Sequence, residues 1–303
     1  MGTEMDTISQ AQRERLFYIE FRLRFFGIIN RQDMELRFEI RPAAATRDFR
    51  LYKTIAPGNL VYDPYSKAYV RSANFTPCFD LSCDQALTGL CAGLGDDAVV
   101  RAPAAVSADS PFRYHLPDVD ILAAFSRAIY QGKPVSMQYL SVSTGCSERT
   151  IVPHALVDSG VRWHVRGYDR NNHRFSDFVL NRVQSVTQLA AVADTHEVQV
   201  ADEQWNLHVL LELVPHPALR HPEVIEAEYG MKDGVARLQV RSAMAGYLMR
   251  LWDVDCGAGS TVNSNPSHLL ALNNREHLSN VASLVLAPNW NQTEALTTGN
   301  IHG

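Results

Sequence analysis

Two groups of residues in this 303-residue chain have types and spacings that could do chemistry. The first is cationic and helical. Thr46, Arg47, Arg50 and Lys53 fall on one side of a segment that starts at Arg41-Pro42, while Ala45, Phe49 and Tyr52, at i, i+4 and i+7, share the other. Such a helix packs by its apolar side and offers guanidinium and ammonium groups to phosphate oxygens and base edges, as a recognition helix does in the major groove of double-stranded DNA. Arg31, Arg41, Lys67 and Arg71 lie close by in sequence and could reach the same backbone. The second group lies on strands. Alternation along Val161–Tyr168 puts Arg162, His164, Arg166 and Tyr168 on one face and Trp163, Val165 and Gly167 on the other. On the last strand Phe178, Leu180 and Arg182 likewise share a side. If Arg166 and Arg182 face the same cleft as His154 and His164, the site is cationic and rich in donors. It would suit an anion, most naturally a phosphate of a nucleotide, an oligonucleotide or a nucleic-acid end.

The elements that must position the first group are short and well punctuated. Leu16, Ile19, Leu23 and Phe26 make a helical apolar stripe that Gly27 can end. Asn30 can cap a second short helix, with Asp33 supporting its first turn. Pro42 suits the first turn of the third, where no amide donor is needed. Leu60-Val61-Tyr62 and Ala68-Tyr69-Val70-Arg71, joined by Asp63-Pro64-Tyr65-Ser66-Lys67, predict a hairpin. A short helix, a tight turn, a basic helix and a basic hairpin together predict a winged helix-turn-helix over residues 1–78.

Charge agrees with that reading. Residues 11–75 carry 12 Lys and Arg against 7 Asp and Glu, whereas the rest of the chain carries 16 against 26. A basic front on an acidic body is expected of a DNA-binding module joined to something that should avoid DNA. The odd count of five cysteines, without a CxxC pair, predicts reduced thiols and a cytoplasmic setting. Met1–Asp6 has no basic stretch before an apolar one, and no run of 18 apolar residues occurs, so neither a secretory signal nor a membrane span is expected. There is no G-x-S-x-G elbow, P-loop, H-E-x-x-H or G-x-G-x-x-G. His216 and His221 could suggest a metal, but each stands next to or near Pro with no evident Cys or Asp partner. No cofactor, metal or catalytic residue is expected, and a hydrolase is the weaker alternative.

Beyond the hairpin, Asp84-Gln85-Ala86-Leu87 suggests a short helix and Ala102–Pro111 a small-residue linker, giving a connector over 79–118. Asp118 can cap a helix bearing Ile121, Leu122, Phe125, Ala128 and Ile129, which Gly132 ends. Strands follow from Val135, in a domain over 119–192. From Glu197 the pattern is strand, helix, strand, helix, a small α/β unit over 193–290 with a polar tail.

The order Tyr139-Leu140-Ser141, Ile151-Val152-Pro153-His154, Trp163-His164-Val165-Arg166-Gly167-Tyr168 and Phe175–Val183 resembles a WYL domain. Arg15 to Phe75, including Asn30-Arg31-Gln32-Asp33 and Asp48-Phe49-Arg50-Leu51-Tyr52, resembles the winged-helix front of BrxR/CapW regulators, which repress anti-phage defence operons in bacteria. The resemblance implies an α+β multidomain chain: winged helix-turn-helix, Sm-like β-barrel sensor, and a C-terminal extension that contributes to dimerisation. It implies a homodimer on an inverted-repeat operator, controlled by a nucleotide-like or nucleic-acid-like effector, and it extends to activators as well as repressors. Carried onto this chain, the sensor's pocket residues are Tyr139, Ser141, His154, Trp163, His164, Arg166, Asp169 and Arg182. One departure stands out: the family's Trp-Tyr-Leu triplet is here Trp163-His164-Val165, which exchanges a stacking phenol for an imidazole.

Overall fold

The computed structural model describes residues 8–92, 116–258 and 267–291. They form two compact units, one drawn from the described residues of 1–156 and 163–194 and one from those of 157–162 and 195–303. In the first, helix α1 (Gln10–Phe25) starts at Ser9, whose hydroxyl accepts from the Gln12 amide, and it gives way at Gly27, where φ is +81°. Strand β1 (Ile28–Ile29) follows. Asn30 and Asp33 then form the reciprocal capping box of α2 (Arg31–Phe38), each side chain accepting the other's backbone N–H. Helix α3 (Pro42–Ile55) has Pro in its first turn, as expected. The hairpin is β2 (Leu60–Asp63) and β3 (Ala68–Arg71), with Tyr62 opposite Tyr69. The sequence did not reveal β1, which pairs with β3 to complete a sheet of order β1-β3-β2.

Helix α4 (Cys83–Ala92) occupies the expected position, while the linker expected at Ala102–Pro111 lies outside the described residues. Asp118 caps α5 (Val119–Gln131) by accepting from the amides of Asp120 and Ile121, and Gly132 ends it with φ +60°. Helix α5 lies along α1. Arg24 pairs with Asp120 at 2.9 Å, Arg127 donates to the carbonyl of Arg24, and Gln131 donates to that of Phe26. The rings of Phe26 and Tyr130 meet at 5.0 Å, with the Arg22 guanidinium over Phe26. Leu16, Leu23 and Phe49 of the helical front share one apolar cluster with Phe125 of α5 and with Val135, Met137 and Val165 of the sheet that follows. The front and the sheet therefore have a common core.

That sheet comprises β4 (Val135–Ser141), β5 (Gly145–Asp158), β6 (Trp163–Asp169), β7 (Arg174–Val179) and β8 (Val183–Gln188), in the order β7-β6-β5-β4-β8. It is open: among the described residues no ladder joins β7 to β8, so the closed barrel that the resemblance implied is not what the strand pairing gives. It is nevertheless rolled. Only the single 3-10 turn Leu180–Arg182 carries the chain from one edge strand to the other, a reach of at most about 14 Å for so few residues. The hydroxyl of Tyr139 on β4 accepts the amide of Val179 on β7, across the seam.

The second unit holds a short helix α6 (Glu203–Asn206), β9 (His208–Pro215), α7 (Pro222–Glu228), β10 (Ala236–Arg241), α8 (Ser242–Leu251) and β11 (Leu270–Leu272), with sheet order β10-β9-β11. One sheet face packs Leu211, Leu213, Leu238 and Val240 with Met249 of α8 in a separate core. His216 is buried and bonded to Asp255 at 3.2 Å, whereas His221 is exposed beside Glu223, so these two histidines are engaged separately. No described helix is long and apolar enough to cross a membrane.

Because the Tyr139 hydroxyl bonds across the seam, Tyr139→Phe should lower stability by about 1 kcal/mol, read from the urea midpoint, with little change in the urea m-value. An unchanged midpoint would mean that the rolled shape does not depend on this bond.

Candidate nucleic-acid interface and sheet site

Helix α3 is held from beneath by polar groups as well as apolar ones. Phe49 and Tyr52 are buried, and so is Asp48, only 1% exposed, which accepts from Arg15 Nε at 2.6 Å. Gln12 reaches the same carboxylate. Tyr52 donates to Glu20 at 2.9 Å and accepts from Asn59 Nδ2 at 3.0 Å. Glu20 is 3% exposed and also accepts the amides of Cys78 and Phe79, while Asn59 bonds both backbone groups of Thr76. One network thus ties α1, α3 and the segment leaving the hairpin. Burial raises the Glu20 carboxyl above its usual range, against the lowering effect of the Phe79 and Cys78 amides and the Tyr52 hydroxyl. Burial and the Glu20 charge together push the Tyr52 phenol up as well. None of Glu20, Asp48 and Asn59 was anticipated from the sequence. The signal was present as an acidic residue beside the apolar stripe of α1 and another on the inner side of α3.

With its inner side fixed, α3 turns Arg47, Arg50 and Lys53 to solvent, and Arg41 is exposed at its start. Thr46 is half-buried and its hydroxyl donates to the Pro42 carbonyl, so its hydroxyl proton is engaged while its methyl and the oxygen's remaining acceptor capacity are left for a partner. Arg31 is exposed in the first turn of α2, and Lys67 is exposed in the hairpin turn, in a left-handed conformation with φ +53°. Arg71 stands apart from this set. It is half-buried, its guanidinium lies 4.8 Å from the Phe75 ring, and burial lowers its pKa, with Asp120 opposing and Arg24 adding to that effect. The alternation of the hairpin gave no hint of Phe75 or α5, which draw it inward.

The eight residues expected on the sheet divide. His164 and Arg166 share the face of β6 that also carries Tyr168, and His154 meets the Phe175 ring, which in turn meets Tyr168. All of β6 is buried, and Arg166 pairs with Asp177, its cross-strand neighbour, at 3.0 Å. Asp177, Tyr168 and Phe175 are additions to the expected set, and a hairpin register counted back from the Asn171-Asn172 turn would have found Asp177. Trp163 and Tyr139 belong to the opposite, core face with Phe178. Ser141 and Asp169 cap turns: Ser141 accepts from the amides of Ser143 and Thr144, and Asp169 from Asn171 and Asn172, with Arg149 at 3.7 Å. Arg182 is half-buried at the end of the 3-10 turn. The expectation that Phe178, Leu180 and Arg182 share one strand face therefore fails, because β7 stops at Val179.

Comparison with known proteins follows the same divisions. Residues 11–86 match the BrxR transcriptional regulator winged helix-turn-helix domain, 120–188 the WYL domain, and 208–278 the BrxR transcriptional regulator C-terminal dimerization domain. A DNA-binding transcriptional repressor CapW of Escherichia coli (strain KTE188) is 30% identical over 253 residues, covering 79% of this chain and 82% of the relative. The chain belongs to the CapW family. The CapW of Stenotrophomonas maltophilia is 30% identical over 276 residues, covering 88% of this chain and 91% of its own length. That of Pseudomonas aeruginosa is 29% identical over 257 residues, covering 79% and 82%. In this CapW-family chain the first two matched segments are the parts that share a core, and the third falls in the second unit.

Tyr52→Phe takes one donor from the buried Glu20 carboxylate and one acceptor from Asn59. The expected loss is about 1–3 kcal/mol of unfolding free energy. A loss below about 0.5 kcal/mol, within the range of neutral surface changes, would show that the network does not hold α3.

Proposed function

We infer that the chain is a DNA-binding transcriptional repressor that acts as a homodimer, not an enzyme. The observation that carries this reading is α3: a helix whose inner side is locked by Asp48 and Tyr52 and whose outer side presents Arg47, Arg50 and Lys53. The named function of its CapW relatives supports it. On this reading α3 enters the major groove, Arg31, Arg41 and Lys67 contact phosphates, and Thr46 offers its methyl to a base edge. Arg71 acts through the packing beneath the hairpin. The C-terminal unit joins two copies so that their α3 helices meet half-sites about 34 Å apart on an inverted repeat. The operon controlled is an anti-phage defence operon, and the setting is cytoplasmic.

The sheet face of His154, His164 and Arg166 is the proposed effector site. Asp177 already neutralises Arg166 there, so an anionic nucleotide or oligonucleotide would have to displace that carboxylate. Breaking one buried pair to form another is a two-state event. It can shift DNA affinity only if the effector binds the two states unequally. The core shared by sheet and helical front supplies a route.

The test is a mobility-shift titration of the full chain on its own upstream region. Arg47→Ala with Arg50→Ala should weaken binding at least about tenfold and make the salt dependence shallower by about one unit of slope per lost phosphate contact. Absence of a wild-type shift at low salt, or full binding by the double variant, would refute the reading.

A further inference from the structure

The C-terminal unit contains a cavity of about 720 Å³, the size of a small-molecule site, that the DNA-binding reading does not use. One wall is the outer face of the sheet, where Val214 of β9 and Ala271 of β11 stand opposite each other. Pro217 and Trp290 add further apolar area. Asp255 runs beside β11, its amide donating to the Leu270 carbonyl and its carbonyl accepting the Leu272 amide. Its carboxylate lines the cavity although the residue is only 6% exposed. Oδ1 accepts from the Gly257 amide and from Asn289 Nδ2, both at 2.9 Å, and Oδ2 from His216 Nε2 at 3.2 Å. His216 Nδ1 accepts the Ala218 amide, so Nε2 is the nitrogen that carries the proton. Burial works against the charge of Asp255, but the Asn289, Gly257 and His216 donors outweigh it and hold the carboxyl below its usual range.

Among the described lining residues Arg275 is the only cation. Its Nη1 donates to the Cys256 carbonyl, its Nη2 to the Trp290 carbonyl at 2.6 Å, and its guanidinium lies 4.2 Å from the centre of the Trp290 ring. Both Nη atoms are therefore turned to backbone carbonyls. Glu276, next in sequence, is exposed and brings a second carboxylate to the lining. The wall is thus richer in acceptors than in donors, with two carboxylates against one engaged guanidinium. We propose that this cavity binds an organic ammonium ion, specifically a short alkyl diamine. One ammonium meets Asp255 Oδ2, which keeps a lone pair beyond the one His216 uses, and the other meets Glu276. The methylenes between them lie along Val214, Ala271 and Pro217. An ammonium donates three hydrogens and accepts none, so it matches such a wall, whereas an anion would face two like charges. The site lies within the C-terminal unit and is independent of both the DNA-binding reading and the sheet-face effector site.

The experiment is isothermal titration calorimetry of the full chain with putrescine, with butanediol and succinate as neutral and anionic chains of the same length. Physiological salt screens loose attraction to the acidic surface. Putrescine should bind saturably, one per chain, and neither control should bind. The indole N–H resonance of Trp290, assigned with Trp290→Phe, should move with putrescine alone. Asp255→Asn keeps the shape of the wall but removes its charge, and should weaken binding at least about tenfold. Glu276→Lys sets an ammonium at an exposed position of the lining and should weaken it as strongly; if Asp255→Asn does not fold, this variant decides. A putrescine dissociation constant above about 10 mM, equal binding of butanediol, or unchanged affinity in Glu276→Lys overturns the proposal. So does loss of the dimer in Glu276→Lys with no putrescine uptake by the wild type, which would make the cavity a contact between two copies.

Discussion

The contact between α1 and α5 is the constraint on which the rest of the first unit depends. It joins the helix that supports α3 to the helix that opens the sheet, through Arg127 on the Arg24 carbonyl, Gln131 on the Phe26 carbonyl, and Phe26 against Tyr130. Gln131 in turn accepts from Gln188 on β8, so the line of contacts runs on into the sheet. The ion pair of Arg24 with Asp120 contributes little to holding this together. Asp120 is largely exposed, and such pairs yield at most about 1 kcal/mol. Apolar burial does more. Phe125, fully buried in the common cluster, is a side chain of the size whose removal from a core costs about 3–5 kcal/mol.

Buried charge at the contact is expensive and is arranged accordingly. Burial lowers the Arg127 pKa to about 10, with Arg71 and Arg24 adding to the effect and Asp120 opposing it. Arg71 and Arg22 lie over rings, where cationic charge meets the negative face of the π system. Several guanidinium groups so close would repel one another if they shared one apolar seam without acceptors. Backbone carbonyls and the carboxylates of Asp120 and Asp33 supply those acceptors. A helical front built in this way shares its core with the sheet behind it, which is the contact that the proposed coupling of a sheet site to DNA affinity would use.

Local signals in the sequence were reliable and long-range ones were not. Asn30 with Asp33, Pro42, Asp118 and Gly132 each mark a helix end, because capping is satisfied within one turn of the chain. The two faces of α3 were likewise legible from periodicity alone. Period-two reading failed at Leu180–Arg182, where the chain must cross between the edges of a rolled sheet and strand geometry cannot do so. It failed differently for Arg166 and Arg71. Both are cations at the right spacing, but their environment is set by Asp177 across a ladder and by Phe75 and α5 beyond the hairpin. The resemblance to a WYL domain located the sheet and named eight residues. Three of them share the non-core face, and most of the others hold the sheet or its turns.

The most direct test of this account is native-state hydrogen exchange of the full chain carrying Phe125→Ala, compared with wild type. If the helical front and the sheet are one cooperative body, the cavity lowers protection of the α3 amides around Phe49–Lys53 and of the β4 amides around Val135–Tyr139 by the same free energy. Loss of protection confined to β4 and α5, with α3 unchanged, would contradict it.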